Sequence, residues 1–134
     1  MDNKNIKTVF LDIGGVLLTN GWGGKQRENV INKLGLDKAE TEERNNLVWD
    51  TYEAGKLTLD KYLDYVIFYV ERSFSKEEFK ALMMEQSEPL DGAVEYFKAL
   101  KKERGYKIVA LSNEARELND YRIKKFKLDE LFDF

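Results

Sequence analysis

The sequence contains no cysteine and no histidine, and only one proline in 134 residues. The missing cysteines exclude disulfides, thiolate catalysis and cysteine zinc sites. The missing histidines remove the commonest general base, so any chemistry has to use carboxylates, hydroxyls, lysine, arginine or backbone groups. Because disulfides belong to oxidising compartments, a chain without cysteine favours the cytoplasm as its location.

Long apolar runs are also missing. The longest strongly apolar run, residues 65–70, is far shorter than the roughly 20 residues that a membrane-spanning helix needs. The N-terminus carries Asp2 and Lys4, and Asp12 interrupts the apolar stretch that follows. We therefore expect neither a signal peptide nor a membrane partner.

Charge of one sign is not concentrated anywhere. The net charge is −3, and the 22 lysine and arginine residues are dispersed along the chain. No basic patch indicates nucleic-acid binding, so no nucleic-acid partner is predicted. With 43% hydrophobic and 35% charged residues, the composition is typical of a globular, helix-rich chain of about one domain.

The most informative stretch lies near the N-terminus. Residues 9–11, Val-Phe-Leu, predict a strand that is buried on both faces, and Asp12 follows at once. Open α/β sheets bind ligands beyond the carboxyl ends of their strands, which is where this carboxylate would lie. Gly14 and Gly15 would let the backbone turn and approach a ligand closely. The alternative is an exposed aspartate that merely opens a turn.

The middle of the chain predicts helices only. Apolar residues at helical spacing indicate four helices between residues 25 and 87, and their aromatic and methionine positions are expected to form a core. Thr58 and Ser75 are predicted N-caps. A glycine-rich hinge, residues 20–24, precedes these helices. Its Trp22 is expected to cover the apolar layer between two units rather than to contact a substrate.

The C-terminal third returns to an α/β pattern. Asp91 is the predicted cap of a helix, residues 107–111 form a predicted strand, and a helix over residues 114–126 follows. Ser112 and Asn113 lie between this strand and this helix. They are predicted to cap the helix, to bind a phosphate at its N-terminus, or to do both.

Two segments resemble motifs of the haloacid dehalogenase-like (HAD) superfamily. Its first motif is a hydrophobic strand followed by Asp-x-Asp-Gly-Val-Leu, and residues 8–18 read Thr-Val-Phe-Leu-Asp-Ile-Gly-Gly-Val-Leu-Leu. Residues 106–113, Tyr-Lys-Ile-Val-Ala-Leu-Ser-Asn, resemble the second motif, a strand that ends in serine or threonine and is commonly followed by asparagine. Two motifs in the right order, separated by a helical insert, form a fairly specific pattern.

This resemblance implies an α/β fold, a HAD-like Rossmannoid parallel-sheet core with an inserted helical-bundle cap. The core is expected to comprise residues 1–20 and 89–134, and the cap residues 21–88. The implied function is that of a Mg²⁺-dependent phosphatase acting on a small phosphorylated metabolite through an aspartyl-phosphate. The implied site residues are the nucleophile and metal ligand Asp12, the carbonyl of Gly14 as a second metal ligand, and the phosphate contacts Gly15, Ser112 and Asn113.

The sequence departs from the family pattern at two points. Gly14 stands where most phosphatase members carry a second aspartate, whose acid–base work is typically worth about 10²–10⁴-fold in rate. The later lysine and acidic pair of the family have no clear equivalent. The core is therefore expected to be C-terminally truncated. Its open sheet edges predict that the chain either associates with a second copy through those edges or is marginally stable alone. The alternative function is a catalytically inactive binding or regulatory module. Dehalogenation is less favoured, because nothing indicates a halide cradle.

Overall fold

The computed structural model describes residues 7–112 and 115–133. Within these ranges, two short strands and six helices follow one another along the chain. No helix of the described ranges is long and apolar enough to cross a bilayer. The elements are, in order, β1 (Thr8–Leu11), α1 (Gly24–Leu34), α2 (Lys38–Glu53), α3 (Leu59–Val66), α4 (Lys76–Glu85), α5 (Ala93–Arg104), β2 (Lys107–Ala110), α6 (Arg116–Lys125) and a 3₁₀ turn (Leu128–Glu130).

The two strands form a parallel pair although almost a hundred residues separate them. The register runs from Thr8 opposite Lys107 to Leu11 opposite Ala110. One further hydrogen bond, from the Leu111 N–H to the Leu11 carbonyl at 2.8 Å, extends the pairing beyond the last paired residues. The segments that follow the two strands therefore leave the sheet side by side.

One face of this sheet is buried and the other is largely open. Side chains alternate between the two faces of a strand, so the paired Leu11 and Ala110 lie on the face opposite Phe10. The buried cluster on the first face comprises Leu11, Ile13, Leu17, Leu18, Val94, Ile108, Leu128 and Leu131. Phe10 is 60% exposed. The prediction that β1 is buried on both faces is wrong, because the buried cluster formed by the described helices lies on one face.

The outer edge of β2 is paired at Ile108 with a residue that follows the 3₁₀ turn. The Asp133 N–H donates to the Ile108 carbonyl at 2.7 Å, and the Asp133 carboxylate accepts from the Ile108 N–H at 2.8 Å. Lys101 Nζ lies 3.0 Å from the same carboxylate and 2.9 Å from the Leu131 carbonyl. These contacts satisfy the outward backbone groups of Ile108, so the prediction of open sheet edges is wrong at this position of β2.

A second apolar cluster joins the helices of the middle segment. The rings of Tyr52 and Tyr62 stack with centroids 4.6 Å apart, so the prediction of an aromatic core is confirmed. The cluster comprises Trp22, Val30, Tyr52, Leu59, Tyr62, Leu63, Val66, Ile67, Phe79, Met83, Ala115 and Leu118. Because Ala115 and Leu118 come from the C-terminal segment, packing crosses the expected cap–core boundary, and the exact boundaries remain a prediction.

The chain passes between the two apolar clusters twice, at residues 17–19 and at residues 88–90, and these two connecting segments are hydrogen-bonded to each other. The Thr19 N–H donates to the Glu88 carbonyl at 2.8 Å, and the Glu88 N–H donates to Thr19 Oγ1 at 3.0 Å. The Leu90 N–H donates to the Leu17 carbonyl at 2.9 Å. The buried guanidinium of Arg122 donates to the Thr19 carbonyl from α6. The two connecting segments are therefore hydrogen-bonded to each other and to α6.

Two of the predicted helix caps are confirmed. Thr58 Oγ1 accepts from the Lys61 N–H at 3.2 Å at the start of α3. Ser75 Oγ accepts from the Glu78 N–H at 3.1 Å, and the Glu78 carboxylate accepts from the Ser75 N–H at 2.8 Å. Both helices begin where the side chain of the preceding residue satisfies a free backbone N–H.

Two other predicted caps are wrong. The N-cap of α5 is Gly92, at φ 70°, rather than Asp91. The helix α6 begins at Arg116 with Ala115 as its N-cap and no side-chain cap, so Ser112 does not cap it. In both cases the helix starts later than the polar residue, because the chain needs extra residues to turn out of the preceding segment. Asn113 lies outside the described residues.

Candidate active site

Asp12 follows β1 directly and lies where the two strands end. Its carboxylate oxygen Oδ1 accepts a hydrogen bond from the Ile13 N–H at 2.7 Å. Since the pairing of Leu111 with Leu11 continues past the strands, the backbone at Asp12 runs beside the backbone that leads into Ser112. The two motifs are thus brought to the same end of the sheet, as parallel strands require.

The loop after Asp12 is folded tightly onto the carbonyl of Ile13. This oxygen accepts N–H groups from Leu17 and Leu18, each at 3.0 Å. Gly15 adopts φ 75°, a left-handed conformation that favours glycine. Its N–H donates to the Leu18 carbonyl at 2.7 Å. A phosphate contact through this N–H would require the loop to rearrange, so the phosphate-binding role of Gly15 remains a prediction.

Gly14 lies in the same loop and pairs with Leu18 in an isolated β-bridge. It is not among the glycines with positive φ. A left-handed turn therefore does not explain why this residue is glycine. Its role as a metal ligand through the carbonyl remains a prediction.

A cavity of about 340 Å³ opens beside Asp12 and Gly14. Half of its wall comes from the loop and hinge, and the other half comes from α1 and α2. Its lining comprises Asp12, Gly14, Asn20, Trp22, Gly23, Gly24, Arg27, Asn45, Asn46, Trp49 and Glu53. The lining residues on α1 and α2 were not predicted from the sequence as site residues. The one available signal is that Asn46, Trp49 and Glu53, at positions i, i+3 and i+7, share one face of α2.

Arg27 connects α1, α2 and the hinge at the wall of this cavity. Its Nε and Nη2 atoms each lie 3.0 Å from a carboxylate oxygen of Glu42. Its Nη1 donates to the Trp22 carbonyl at 2.9 Å. This two-pronged pairing fixes the guanidinium and matches its charge with that of Glu42. Arg27 therefore adds little net positive charge to the cavity.

A buried hydrogen-bond chain runs behind the cavity from Trp22 to Asn45. The indole Nε1 of Trp22 donates to the Tyr62 hydroxyl at 2.9 Å, and this hydroxyl donates to Asn45 Oδ1 at 2.5 Å. Burial raises the pKa of the Tyr62 hydroxyl well above its usual value, so the hydroxyl keeps its proton. Trp22 is buried in the helical cluster, as expected, but it also lines the cavity.

Asp12 and Gly14, the two predicted magnesium ligands, both lie at the cavity wall. Mg²⁺ is commonly held by one or two carboxylates together with water and substrate oxygens. The Asp12 carboxylate and the Gly14 backbone line the same cavity, and both offer hard oxygen ligands. Among the described residues there is no cluster of three acidic side chains. The magnesium site at Asp12 and Gly14 therefore remains a prediction.

The predicted phosphate contacts of the second motif are described in part. Ser112 is half-buried, and its Oγ lies 3.4 Å from Asn119 Oδ1. This serine is therefore oriented toward the first turns of α6. Asn113 lies outside the described residues. The assignment of both residues as phosphate contacts remains a prediction.

The chain belongs to the haloacid dehalogenase-like hydrolase family, whose sequence profile matches residues 6–134. The expected α/β fold is confirmed. The described residues form an incomplete HAD-like core of two parallel strands with a helical cap. No curated protein is significantly similar to the chain in sequence.

Solved structures of HAD-family enzymes share this fold at low sequence identity. A Bacteroides thetaiotaomicron enzyme in complex with magnesium and inorganic phosphate aligns with a TM-score of 0.74 at 18% identity, over 96% of this chain and 67% of its own. A Thermococcus onnurineus HAD phosphatase aligns at 0.55 and 17%, over 96% and 60%. The L-2-haloacid dehalogenase of Xanthobacter autotrophicus, with chloropropionic acid covalently bound, aligns at 0.56 and 14%, over 96% and 55%.

The chain thus spans between 55% and 67% of the length of these three structures. Because the identities are low, the similarity concerns the fold. The family is that of hydrolases, and the solved relatives include both a phosphatase and a dehalogenase.

Proposed function

We propose that the chain carries the nucleophile and substrate cavity of a Mg²⁺-dependent phosphatase that acts on a small phosphorylated metabolite. The observation that carries this proposal is the position of Asp12, directly after β1 and at the wall of a cavity of about 340 Å³. A similar HAD-family structure holds magnesium and inorganic phosphate. The carboxyl end of parallel strands is also the usual ligand site of open α/β sheets.

In the proposed reaction, an Asp12 carboxylate oxygen attacks the phosphorus of the substrate. The bond from phosphorus to the leaving oxygen breaks, and this oxygen takes a proton from water. Water then attacks the phosphorus of the aspartyl-phosphate, which releases the carboxylate and inorganic phosphate. Gly15, Ser112 and Asn113 are proposed to orient the phosphate. A bound Mg²⁺ would reduce the repulsion between the phosphate and the carboxylate.

Gly14 defines which substrates this reaction favours. A second acid at this position would protonate the leaving oxygen, and glycine has no proton to give. Phosphate esters with a good leaving group, such as aryl phosphates, need less protonation. The proposed enzyme is therefore expected to cleave aryl phosphates faster than alkyl phosphates.

The test is hydrolysis of p-nitrophenyl phosphate with Mg²⁺, compared between the wild type and the Asp12→Asn variant. Asp91→Asn serves as the matched control, because Asp91 is exposed and does not line the cavity. We expect Asp12→Asn to abolish turnover and Asp91→Asn to preserve it. Turnover that persists in Asp12→Asn would exclude Asp12 as the nucleophile.

The glycine at position 14 also supports a second candidate, a binding or regulatory module that retains the fold without catalysis. Such a module would bind inorganic phosphate or beryllofluoride in the presence of Mg²⁺. The same assay distinguishes the two candidates. Binding of these anions to the wild type without turnover of the aryl ester would favour the module.

A second copy of the chain is the other proposed partner. Phe10 is 60% exposed and Leu111 is 58% exposed, so the outer face of the described sheet carries apolar surface that another molecule could cover. A cytoplasmic location is proposed on the cysteine-free composition alone.

A further inference from the structure

Asn45 is a buried amide that also belongs to the cavity wall. It lies on α2, its residue surface is 2% exposed, and it lines the cavity that Asp12 lines. An amide has two hydrogen-bonding ends, an accepting oxygen and a donating nitrogen. Which end is offered to the cavity therefore decides what chemical group the cavity can recognise.

The hydrogen-bond chain behind the cavity settles this orientation. The indole N–H of Trp22 can only donate, so the Tyr62 oxygen accepts from it at 2.9 Å. The proton of the buried Tyr62 hydroxyl then needs an acceptor, and Asn45 Oδ1 lies 2.5 Å away. This separation is in the O–H···O range and is short for an N–H···O bond. A flipped amide would take this acceptor from the hydroxyl, at the cost of a buried unpaired donor.

The nitrogen of Asn45 is consequently the end that remains for a ligand. Asn45 Nδ2 lies 3.5 Å from Asn46 Oδ1, which is the outer limit of a hydrogen bond. Asn46 lines the same cavity, so a ligand oxygen placed near both side chains could accept from Asn45 and improve on this long contact. The donor is fixed in place by the buried chain, which lowers the entropy cost of using it.

The other cavity groups indicate that this ligand oxygen is uncharged. Arg27 is neutralised by Glu42, and Glu53 at the cavity wall carries a negative charge. A second anionic group on the substrate would meet no unmatched cation among the lining residues and would face Glu53. A hydroxyl suits the site, because its oxygen can accept from Asn45 while its proton can be donated to Asn46 or Glu53.

We propose that Asn45 is a specificity-determining residue whose Nδ2 donates to a hydroxyl oxygen of the leaving group. Among alkyl phosphates, the cavity would then select the monoesters of small, uncharged polyhydroxy compounds. This inference rests on the proposed phosphatase function, since it assumes that the phosphate is held near Asp12. The inference depends on the direction of the hydrogen bonds from Trp22 through Tyr62 to Asn45, which leaves the Asn45 nitrogen as the donor for a ligand.

The test compares the binding of glycerol phosphate and n-propyl phosphate, which share a phosphate and a three-carbon chain and differ in hydroxyl groups. Binding is measured with Mg²⁺ in the Asp12→Asn variant, which prevents turnover. Tryptophan fluorescence is a direct readout, because the chain has two tryptophans and both line the cavity. We expect glycerol phosphate to bind about tenfold more tightly, as one hydrogen bond to a fixed donor provides.

Three further variants are made in the same background. Asn45→Asp keeps the acceptor for Tyr62 but has no donor, so the affinity ratio should fall to about one. Because the two esters share the same phosphate, the added negative charge affects both and cancels in the ratio. Tyr62→Phe frees the amide to flip and should also lower the ratio. Asn32→Asp makes the same chemical change at an exposed position of α1 and should leave the ratio unchanged.

A ratio near one in the Asp12→Asn parent, or a tenfold ratio that survives both Asn45→Asp and Tyr62→Phe, would overturn the inference. Tyr62→Phe provides a result even if Asn45→Asp fails to fold. Inorganic phosphate serves as the reference ligand. If inorganic phosphate binds neither the Asp12→Asn parent nor the wild type in the presence of Mg²⁺, the phosphatase proposal and this inference both fail. If all three ligands bind and the two esters bind equally, only the role of Asn45 is excluded.

Discussion

Gly14 is the residue that limits the proposed chemistry most directly. The loop places it at the cavity wall without a left-handed backbone, so an aspartate at this position requires no left-handed conformation. In the Gly14→Asp variant, the new carboxyl could protonate the leaving oxygen. We expect kcat for an alkyl phosphate to rise by about 10²–10⁴-fold, the usual range of general acid catalysis.

The control for this substitution is Gly14→Asn, which has nearly the same size and cannot exchange a proton. Steady-state hydrolysis of n-propyl phosphate and of p-nitrophenyl phosphate is measured for both variants. The gain should be larger for the alkyl ester, because its leaving group needs the proton more. Equal rates in Gly14→Asp and Gly14→Asn would contradict the assignment of position 14 as the missing acid.

Lys127 is a residue whose backbone conformation does not match its type. It has φ 52° between α6 and the 3₁₀ turn, and it is the one non-glycine residue with positive φ among the described residues. A left-handed conformation costs a residue with a Cβ roughly 1–2 kcal/mol. Glycine avoids this cost, but it loses more conformational entropy on folding, which offsets part of the gain. Lys127→Gly should therefore raise the free energy of unfolding by about 1 kcal/mol.

The same substitution two residues earlier should have the opposite sign. Lys125 is an exposed residue in the last turn of α6, where glycine costs about 1 kcal/mol relative to a good helix former. Urea denaturation of Lys127→Gly and Lys125→Gly thus measures one chemical change in two conformations. If Lys127→Gly were also destabilising, positive φ would not be the dominant effect at position 127.

At the scale of single elements, caps next to a clear helical repeat could be predicted from the sequence, and caps after a turn could not. Thr58 and Ser75 stand directly before helices, so a local pattern was sufficient. Asp91 stands one residue before Gly92, which takes the cap position with a left-handed backbone. Ser112 precedes Ala115 by three residues. How many residues a turn consumes depends on the geometry of the whole chain, which a local pattern does not contain.

This difference between the caps leads to a stability prediction for α3. Thr58→Ala removes the acceptor for the Lys61 N–H and should lower the free energy of unfolding by about 1 kcal/mol, as is typical for an N-cap. Asp91→Ala is the control, because Asp91 caps no helix and is exposed. Chemical denaturation of both variants is the measurement. If Asp91→Ala lowered the free energy of unfolding by a comparable amount, the effect of Thr58→Ala could not be attributed to capping.

The segment at the edge of β2 should give the chain part of its acid sensitivity. Hydrogen bonding from the Ile108 N–H, together with Lys101, lowers the pKa of Asp133 below its usual value. A depressed folded-state pKa means that the carboxylate stabilises the fold above the unfolded value of about 3.9, and that this stabilisation is lost as the pH falls through the folded pKa.

Asp133→Asn should therefore reduce the free energy of unfolding at pH 7, and the difference from the wild type should shrink on acidification. Denaturation curves between neutral and strongly acidic pH measure this difference. Asp129→Asn on the preceding turn is the control, since Asp129 is exposed. A difference between wild type and Asp133→Asn that does not depend on pH would show that the ionised carboxylate is not what stabilises the edge.

At the scale of the whole molecule, the order of elements was readable from the sequence and the long-range contacts were not. The motifs at Asp12 and Ser112 predicted neighbouring parallel strands, and the register of β1 and β2 confirms that they are neighbours. The same apolar run wrongly indicated that Phe10 is buried, because a strand pattern does not reveal how many layers cover it. Asn45 joined the site through contacts with Trp22 and Tyr62, which a linear pattern cannot relate to one another.

The open sheet face leads to a prediction about association. Phe10 and Leu111 lie on this face with 60% and 58% of their surfaces exposed. Burying a phenylalanine side chain provides about 1.5–3 kcal/mol, so a contact between two copies through this face should weaken by on the order of tenfold or more when Phe10 is replaced. We expect the wild type to sediment as a concentration-dependent mixture of monomer and dimer.

Phe10→Thr keeps a residue that favours strands and removes the aromatic surface, so it should shift sedimentation toward monomer. Tyr96→Thr is the matched control, because Tyr96 is an aromatic residue of similar exposure, 62%, on α5. If both variants reduced association equally, general surface hydrophobicity would be the cause. A wild type that remains monomeric at every concentration would instead mean that exposed apolar surface on this face is not sufficient for pairing, since a pair of copies also has to overcome the lost rotational and translational freedom.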